Sequence, residues 1–350
     1  MLNFRLFCHK TIPWMRTVSA GPAGLMPLFC LVAMALILSG WGTPVMAADM
    51  TLPLPVRNLD PVMMRFFDPE PDSALRPDRR GWEFAINQHY STVNIIDNSA
   101  RAQLLVDMEL YVLEPVIRYA VNDGLDFTIR LPVLAPASGV FDNAIRAFHT
   151  AFGFPDNGRH LRPDNRFAYR FDNHRGVRWQ GRSRVEMGNA ALSGRYRLIT
   201  GEGWGLAALA AVKLPTASKQ RGWGSGAADI GIGAVASWKN RHWFTHLEGW
   251  VIQPLAGDVA GVRYDRYLRG SLTAGYQLFR RATLIVQLQG GNSPYNSGIT
   301  GLDHPPFLIA FGLRGTLTHE MGWHAAVVEN ISQTTTQDIS VTVGLNWSVE

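Results

Sequence analysis

The sequence predicts an all-β protein: a transmembrane antiparallel up-and-down β-barrel of about 12 strands, with one short helix in a long outer loop. Three observations carry this. Segments of membrane-spanning length alternate strictly between apolar and polar residues. The links between them alternate between short and long. After the N-terminus, no apolar run reaches the roughly 18 residues that a membrane-crossing helix needs, so a crossing would have to use strands. Charged residues make up only 17% of the 350-residue chain, below the roughly 25% of typical soluble proteins.

The N-terminus has the parts of an export signal. Lys10 and Arg16 precede the apolar run Leu28–Leu38, and Val45-Met46-Ala47 offers a small-residue cleavage site before Ala48. Met15 and Met26 are alternative starts. Residues 1–47 are therefore expected to be a cleaved signal peptide, and the mature protein to lie in the outer membrane of a Gram-negative bacterium. Both cysteines, Cys8 and Cys30, fall in the removed part, which leaves the mature chain without a disulfide or a thiolate. Residues 48–80 hold Pro53, Pro55, Pro61, Pro69, Pro71 and Pro77, which exclude regular structure. They read as an irregular periplasmic leader ending where the barrel, 81–350, begins.

The last strand is the clearest. From Ile339 to Val349 every odd position is apolar and every even one small or polar, so one face would meet lipid and the other the interior. Trp347 suits an interfacial aromatic belt. Comparable segments fall at 82–92, 104–121, 125–133, 187–198, 204–214, 227–239, 242–252, 266–278, 282–291, 306–317 and 321–331. Short links lie at 122–124, 200–203, 239–241, 279–281 and 318–320. Long ones lie at 93–103, 134–186, 215–226, 253–265, 292–305 and 332–337. Short periplasmic turns and long outer loops are the pattern of outer-membrane barrels. Asn122-Asp123-Gly124 is hairpin chemistry. Pro115 conflicts with its strand and implies either a bulge or a break near the periplasmic rim.

The 134–186 link reads as a long extracellular loop with a helix at 141–153. Phe141, Ile145, Phe148 and Phe152 share one helical face and are candidates for constricting or gating a pore. Arg159, Arg162, Arg166, Arg170, Arg175 and Arg178 follow, a basic cluster suited to an anion or to lipopolysaccharide phosphates. Inward positions give lumen-lining candidates: Arg195, Arg197, Lys213, His246, Glu248, Arg269, Gln287, Gln289 and Arg314. Their cationic lean would favour anions in a pore. His246 and Glu248 share a face and form the one pair that could act as base and orienting group. No nucleophile motif, phosphate loop or metal-ligand spacing accompanies them, so no enzyme, cofactor or metal is expected.

Several stretches resemble an exported family known as domain of unknown function 3187. They are Leu54–Asn58, Phe141–Arg170, Val212-Lys213-Leu214-Pro215-Thr216 with Gly224-Ser225-Gly226 and Asp229, and Val327–Asn330. The lysine-to-aspartate pattern is also similar, more loosely, to outer-membrane proteins associated with aromatic-compound degradation, which implies an uptake port for hydrophobic solutes. The family resemblance implies a barrel and supplies no activity. Ala217 stands where the family usually has glycine ahead of an acidic residue.

Three functional readings follow. The first is a passive channel or uptake port for small solutes. The second is a closed barrel with a structural or lipopolysaccharide-binding role. The third is a lipid-modifying barrel enzyme using His246 and Glu248. Expected partners are outer-membrane lipid and lipopolysaccharide, the barrel-assembly machinery during biogenesis and a small solute, with no nucleic acid.

Overall fold

A computed structural model describes residues 49–76, 80–100, 102–140, 163–258, 262–318, 320–332 and 335–349. The expected signal peptide, the 141–153 helix with Phe141, Ile145, Phe148 and Phe152, and Arg159 and Arg162 lie outside the described residues.

Twelve antiparallel strands close into one barrel. They are β1 (Gly81–Asn98), β2 (Gln103–Ala120), β3 (Leu125–Arg130), β4 (Ala191–Gly201), β5 (Trp204–Lys213) and β6 (Asp229–Asn240). The other six are β7 (Trp243–Pro254), β8 (Tyr267–Phe279), β9 (Ala282–Gly291), β10 (Phe307–Thr316), β11 (Met321–Asn330) and β12 (Ile339–Val349). Each pairs with its sequence neighbours. β1 closes the ring by pairing β12, from Trp82 opposite Val349 to Thr92 opposite Ile339. Closure leaves no unpaired edge in the wall, which is what a sheet in lipid requires.

The faces of the wall are inverted relative to a soluble protein. On β7, Leu247 is 61% exposed, while its neighbours His246 and Glu248 are 1% and 4% exposed. On β12 the even, small or polar positions from Ser340 to Asn346 are buried and Ile339, Val341, Val343 and Leu345 lie on the outer face. An apolar exterior of this extent would be unstable in water but suits hydrocarbon. At the end carrying the short turns, Trp82, Tyr119, Tyr196, Trp204, Trp238, Trp243 and Phe279 are all exposed, a girdle of interfacial aromatics.

At the other end the inward face changes character. Asn87, His89 and Ser91 of β1 give way to Val93 and Ile95, and β2 turns in Leu104, Val106, Met108, Leu110 and Val112. These join Tyr169, Phe171 and Trp179 in an apolar cluster. The expected external link at 93–103 is instead mostly strand: β1 and β2 are 18 residues each and rise as a long hairpin, because the alternation of apolar residues continues past 92. The 134–186 link likewise carries paired segments. Val133–Ala137 and Ala168–Asp172 add to β2, Arg178–Gln180 adds to Ala168–Asp172, and Glu186–Met187 pairs Val133–Leu134.

Pro115 neither bulges nor breaks β2, which runs through it. The interruption falls on the neighbour, where Leu131 and Pro132 separate β3 from Val133. The Leu131 N–H donates to the Pro115 carbonyl at 3.1 Å.

Candidate functional site

The segment expected as a periplasmic leader lies inside the barrel. Irregular backbone carries N–H and C=O groups that must be satisfied wherever water is excluded, and inward-facing side chains of the wall satisfy them here. From the turn end upward, the His246 Nε2 hydrogen bonds the Thr51 carbonyl at 2.6 Å and the Arg314 guanidinium donates to the Pro53 carbonyl at 2.7 Å. Gln287 bonds both the N–H and the carbonyl of Leu54, and Gln289 donates to the Val56 carbonyl. Arg57 pairs with Glu114. At the outer mouth Asn58 donates to the Thr335 carbonyl and the Gln337 side chain accepts from the Leu59 N–H. A single helical turn, Met63–Arg65, makes the tip.

The chain then descends. The Phe67 N–H donates to Asp229 at 2.7 Å. Asp68 pairs with Arg269 at 3.0 Å and Glu70 with Arg130 at 3.2 Å. The Asp72 N–H donates to Glu248 at 2.6 Å and the Ala74 N–H to Ser237 at 2.8 Å. Near the turn end Arg76 pairs with Asp72 at 2.6 Å, and Arg197 donates to the Arg76 carbonyl. Residues 49–76 thus run up the lumen and back, a stopper with both ends at the turn side.

All nine lumen candidates point inward, but they do not line an open pore. Lys213, His246, Glu248, Arg269, Gln287, Gln289, Arg314 and Arg197 bind the stopper directly, and Arg195 pairs with Asp126 of the wall. The expected cationic lean of the lumen is offset as well, because the stopper sets Asp68 against Arg269, Glu70 against Arg130 and Asp72 beside Arg195. The gaps left beside it are small. One of about 20 Å³ is lined by Asn58, Asp68, Trp250 and Arg269, and one of about 50 Å³ by Glu70, Asp72, Arg76 and Arg195. Each has room for a few waters at most.

His246 and Glu248 share a face, as their spacing implies, but work apart. His246 Nε2 must be the donor to the Thr51 carbonyl, which makes Nδ1 the acceptor for the Ser237 hydroxyl at 2.7 Å. Glu248 accepts from the Trp250 indole and the Asp72 N–H. Both are buried in the lumen on the face opposite lipid.

Of the residues that carried the family resemblance, Lys213, Ser225 and Asp229 converge at the stopper. Lys213 Nζ lies 3.2 Å from Asp229, donates to Ser225 Oγ at 2.9 Å and donates to the Arg65 carbonyl at 3.0 Å. Thr216 Oγ1 donates to the Gly188 carbonyl and accepts the Ala190 N–H, tying the outer ends of β4 and β5. Gly222 has φ +84°, and a Cβ there would meet Trp179 Cδ1 at 2.4 Å, so glycine is required at that turn. Sequence reasoning missed the acceptors and cations of the stopper itself, Arg65, Asp60, Asp68, Glu70 and Asp72. Their density of charge within a proline-rich stretch was the available signal.

Of the basic cluster, Arg166, Arg170, Arg175 and Arg178 are described and exposed. Arg170 and Arg178 lie on the solvent face of the hairpin whose other face packs Tyr169, Phe171 and Trp179. Arg178 pairs with Asp172 at 2.5 Å.

A family model described as "Protein of unknown function (DUF3187)" matches residues 28–349. No curated protein matches the chain in sequence. Among solved structures, the fold is similar to the COG4313 outer membrane channel from Pseudomonas putida F1, at 11% identity and a TM-score of 0.51, over 77% of this chain and 96% of that one. The NanC porin aligns at 9% identity and a TM-score of 0.45, over 76% of this chain and 100% of that one.

Proposed function

We propose that this chain, which belongs to the DUF3187 family, is an outer-membrane channel for small solutes that rests closed, its own residues 49–76 serving as a displaceable stopper. One observation carries the reading: along the membrane-spanning part a dense series of hydrogen bonds and ion pairs ties the stopper to the wall, beside apolar contacts such as Leu54 and Val56 with Phe244 and Ile285. Water or a polar solute can replace such contacts one by one, each contributing about 0.5–1.5 kcal/mol net between neutral groups and about 1.5–3 kcal/mol where one partner is charged. The wall's own ladder is complete without the stopper, so the barrel can stay closed laterally while the stopper moves.

Planar bilayers test this directly. The mature chain is expected to show low baseline current with rare openings. A variant lacking residues 52–76 is expected to show sustained openings several-fold larger. If that variant still shifts on boiling, as a folded barrel does, yet conducts no more than the full chain, the channel reading falls. A closed structural barrel, with Arg166, Arg170, Arg175 and Arg178 facing lipopolysaccharide phosphates, would then stand in its place.

A further inference from the structure

We propose that the outer mouth holds a binding site for a guanidinium or alkylammonium group, and that Arg65 at the stopper's tip occupies it in the closed molecule. The second half rests on the stopper reading above. Arg65 is 1% exposed. Its guanidinium carbon sits 3.9 Å from the centroid of the Trp179 ring. Its Nε donates to the Gly224 carbonyl at 3.3 Å, and its NH1 to the Tyr295 hydroxyl at 3.2 Å. Among the described residues no carboxylate pairs with it. A buried cation without a counter-ion is costly unless oriented dipoles and π faces replace the water it has lost. The groups in direct contact with this guanidinium are electron-rich, a ring face, a carbonyl and a phenol oxygen, while the neighbouring Lys213 ammonium is held by Asp229.

The receptor part of the site does not depend on Arg65. Trp179 stacks on Phe171 with ring centroids 4.2 Å apart. Gly224 belongs to the glycine-rich turn that the Tyr169 hydroxyl clamps by donating to the Gly222 carbonyl at 2.6 Å. The outer loops therefore hold the cage in shape when the tip withdraws. A cation with at least two N–H donors and an alkyl stem matches the group now inside it, a planar guanidinium most fully and an alkylammonium in charge and donors. A solute of that class arriving from outside would compete with Arg65 for the same cage, which couples recognition to release of the stopper.

The test needs no conductance. The mature Arg65→Ala chain, shown to be folded by its heat-dependent gel shift, is titrated with methylguanidinium chloride against a sodium chloride control while tryptophan fluorescence is read. A saturable change is expected in Arg65→Ala and none over the same range in the wild type, where the cage is filled. Adding Trp179→Leu should weaken the response about tenfold or more, the size of one desolvated cation–π contact. No saturable change in folded Arg65→Ala, or an equal response in the wild type, overturns the site. Should Arg65→Ala fail to fold, wild-type openings are measured with methylguanidinium on the outer side. A saturable rise supports the site, and no rise overturns it. Binding by fluorescence in a variant that conducts nothing would leave the cage standing and remove the channel reading alone.

Discussion

Asp60 sits at the tip of the stopper with no exposed surface. One carboxyl oxygen accepts the Val62 N–H at 2.9 Å and the other has no hydrogen-bond partner. Burial pushes its carboxyl up to about 7 from an ordinary value of 3.8, and Asp338 nearby raises it further, against the lowering effect of the Val62 N–H. The sign follows from linkage. The closed state binds a proton that the released, hydrated segment gives up, so closure is favoured fully below about pH 4. That contribution is lost as pH rises through about 7. Openings of the mature chain should therefore become more frequent between pH 5 and pH 8, by up to about tenfold per unit. Asp60→Asn should flatten the dependence. A wild-type open probability that stays constant across that range would show that Asp60 does not hold the stopper.

At the scale of elements, the stopper and the wall exchange partners that are individually costly to orphan. Asp68 and Arg269 are 13% and 8% exposed in their side chains. Removing one member leaves the other buried and uncompensated, at roughly 3–5 kcal/mol. Asp68→Asn alone should loosen the stopper and raise the baseline current, as should Arg269→Gln alone. The double variant should recover much of the closed state, since neither charge is then stranded. Equal and additive effects of the two changes would mean that the pair contributes nothing specific. The same logic explains why proline-rich backbone can occupy a lumen: Gln287, Gln289, Asp229, Glu248 and Ser237 each supply a partner that a strand neighbour would otherwise provide.

For the whole molecule, the position of the apolar band decides which substitutions are tolerated. Leu247 projects outward about one-third of the way along β7 from the aromatic girdle, whereas Ile96 lies on the β1–β2 hairpin beyond the residues of β1 that pair with β12 and is 40% exposed. Leu247→Arg should cost about 1–3 kcal/mol, between the interfacial and midplane values for an arginine on the lipid face, and reduce the heat-shifting form recovered in outer membranes. Ile96→Arg should leave recovery unchanged. If both are tolerated alike, the exterior of the wall is not in contact with hydrocarbon.

The sequence by itself determined the barrel. Side chains alternate faces along a strand with a period of two, so Ile339–Val349 announces which side meets lipid without reference to any other segment, and the link lengths assign the turns to one end. The inward direction of Arg195, Lys213, His246 and Gln287 was legible for the same reason. Only the tertiary structure decided what those side chains face. Gln287 meets Leu54 and Arg314 meets Pro53 across separations of 233 and 261 residues, and no local periodicity encodes a partner that distant. The leader's prolines excluded a helix or strand but said nothing about location, because irregular backbone is equally stable in water and in a lumen that supplies its hydrogen bonds. The lysine-to-aspartate motif was visible as a pattern; its role as the cradle of the stopper's tip exists only once closure of the barrel brings Lys213, Ser225 and Asp229 around Arg65 and Phe67.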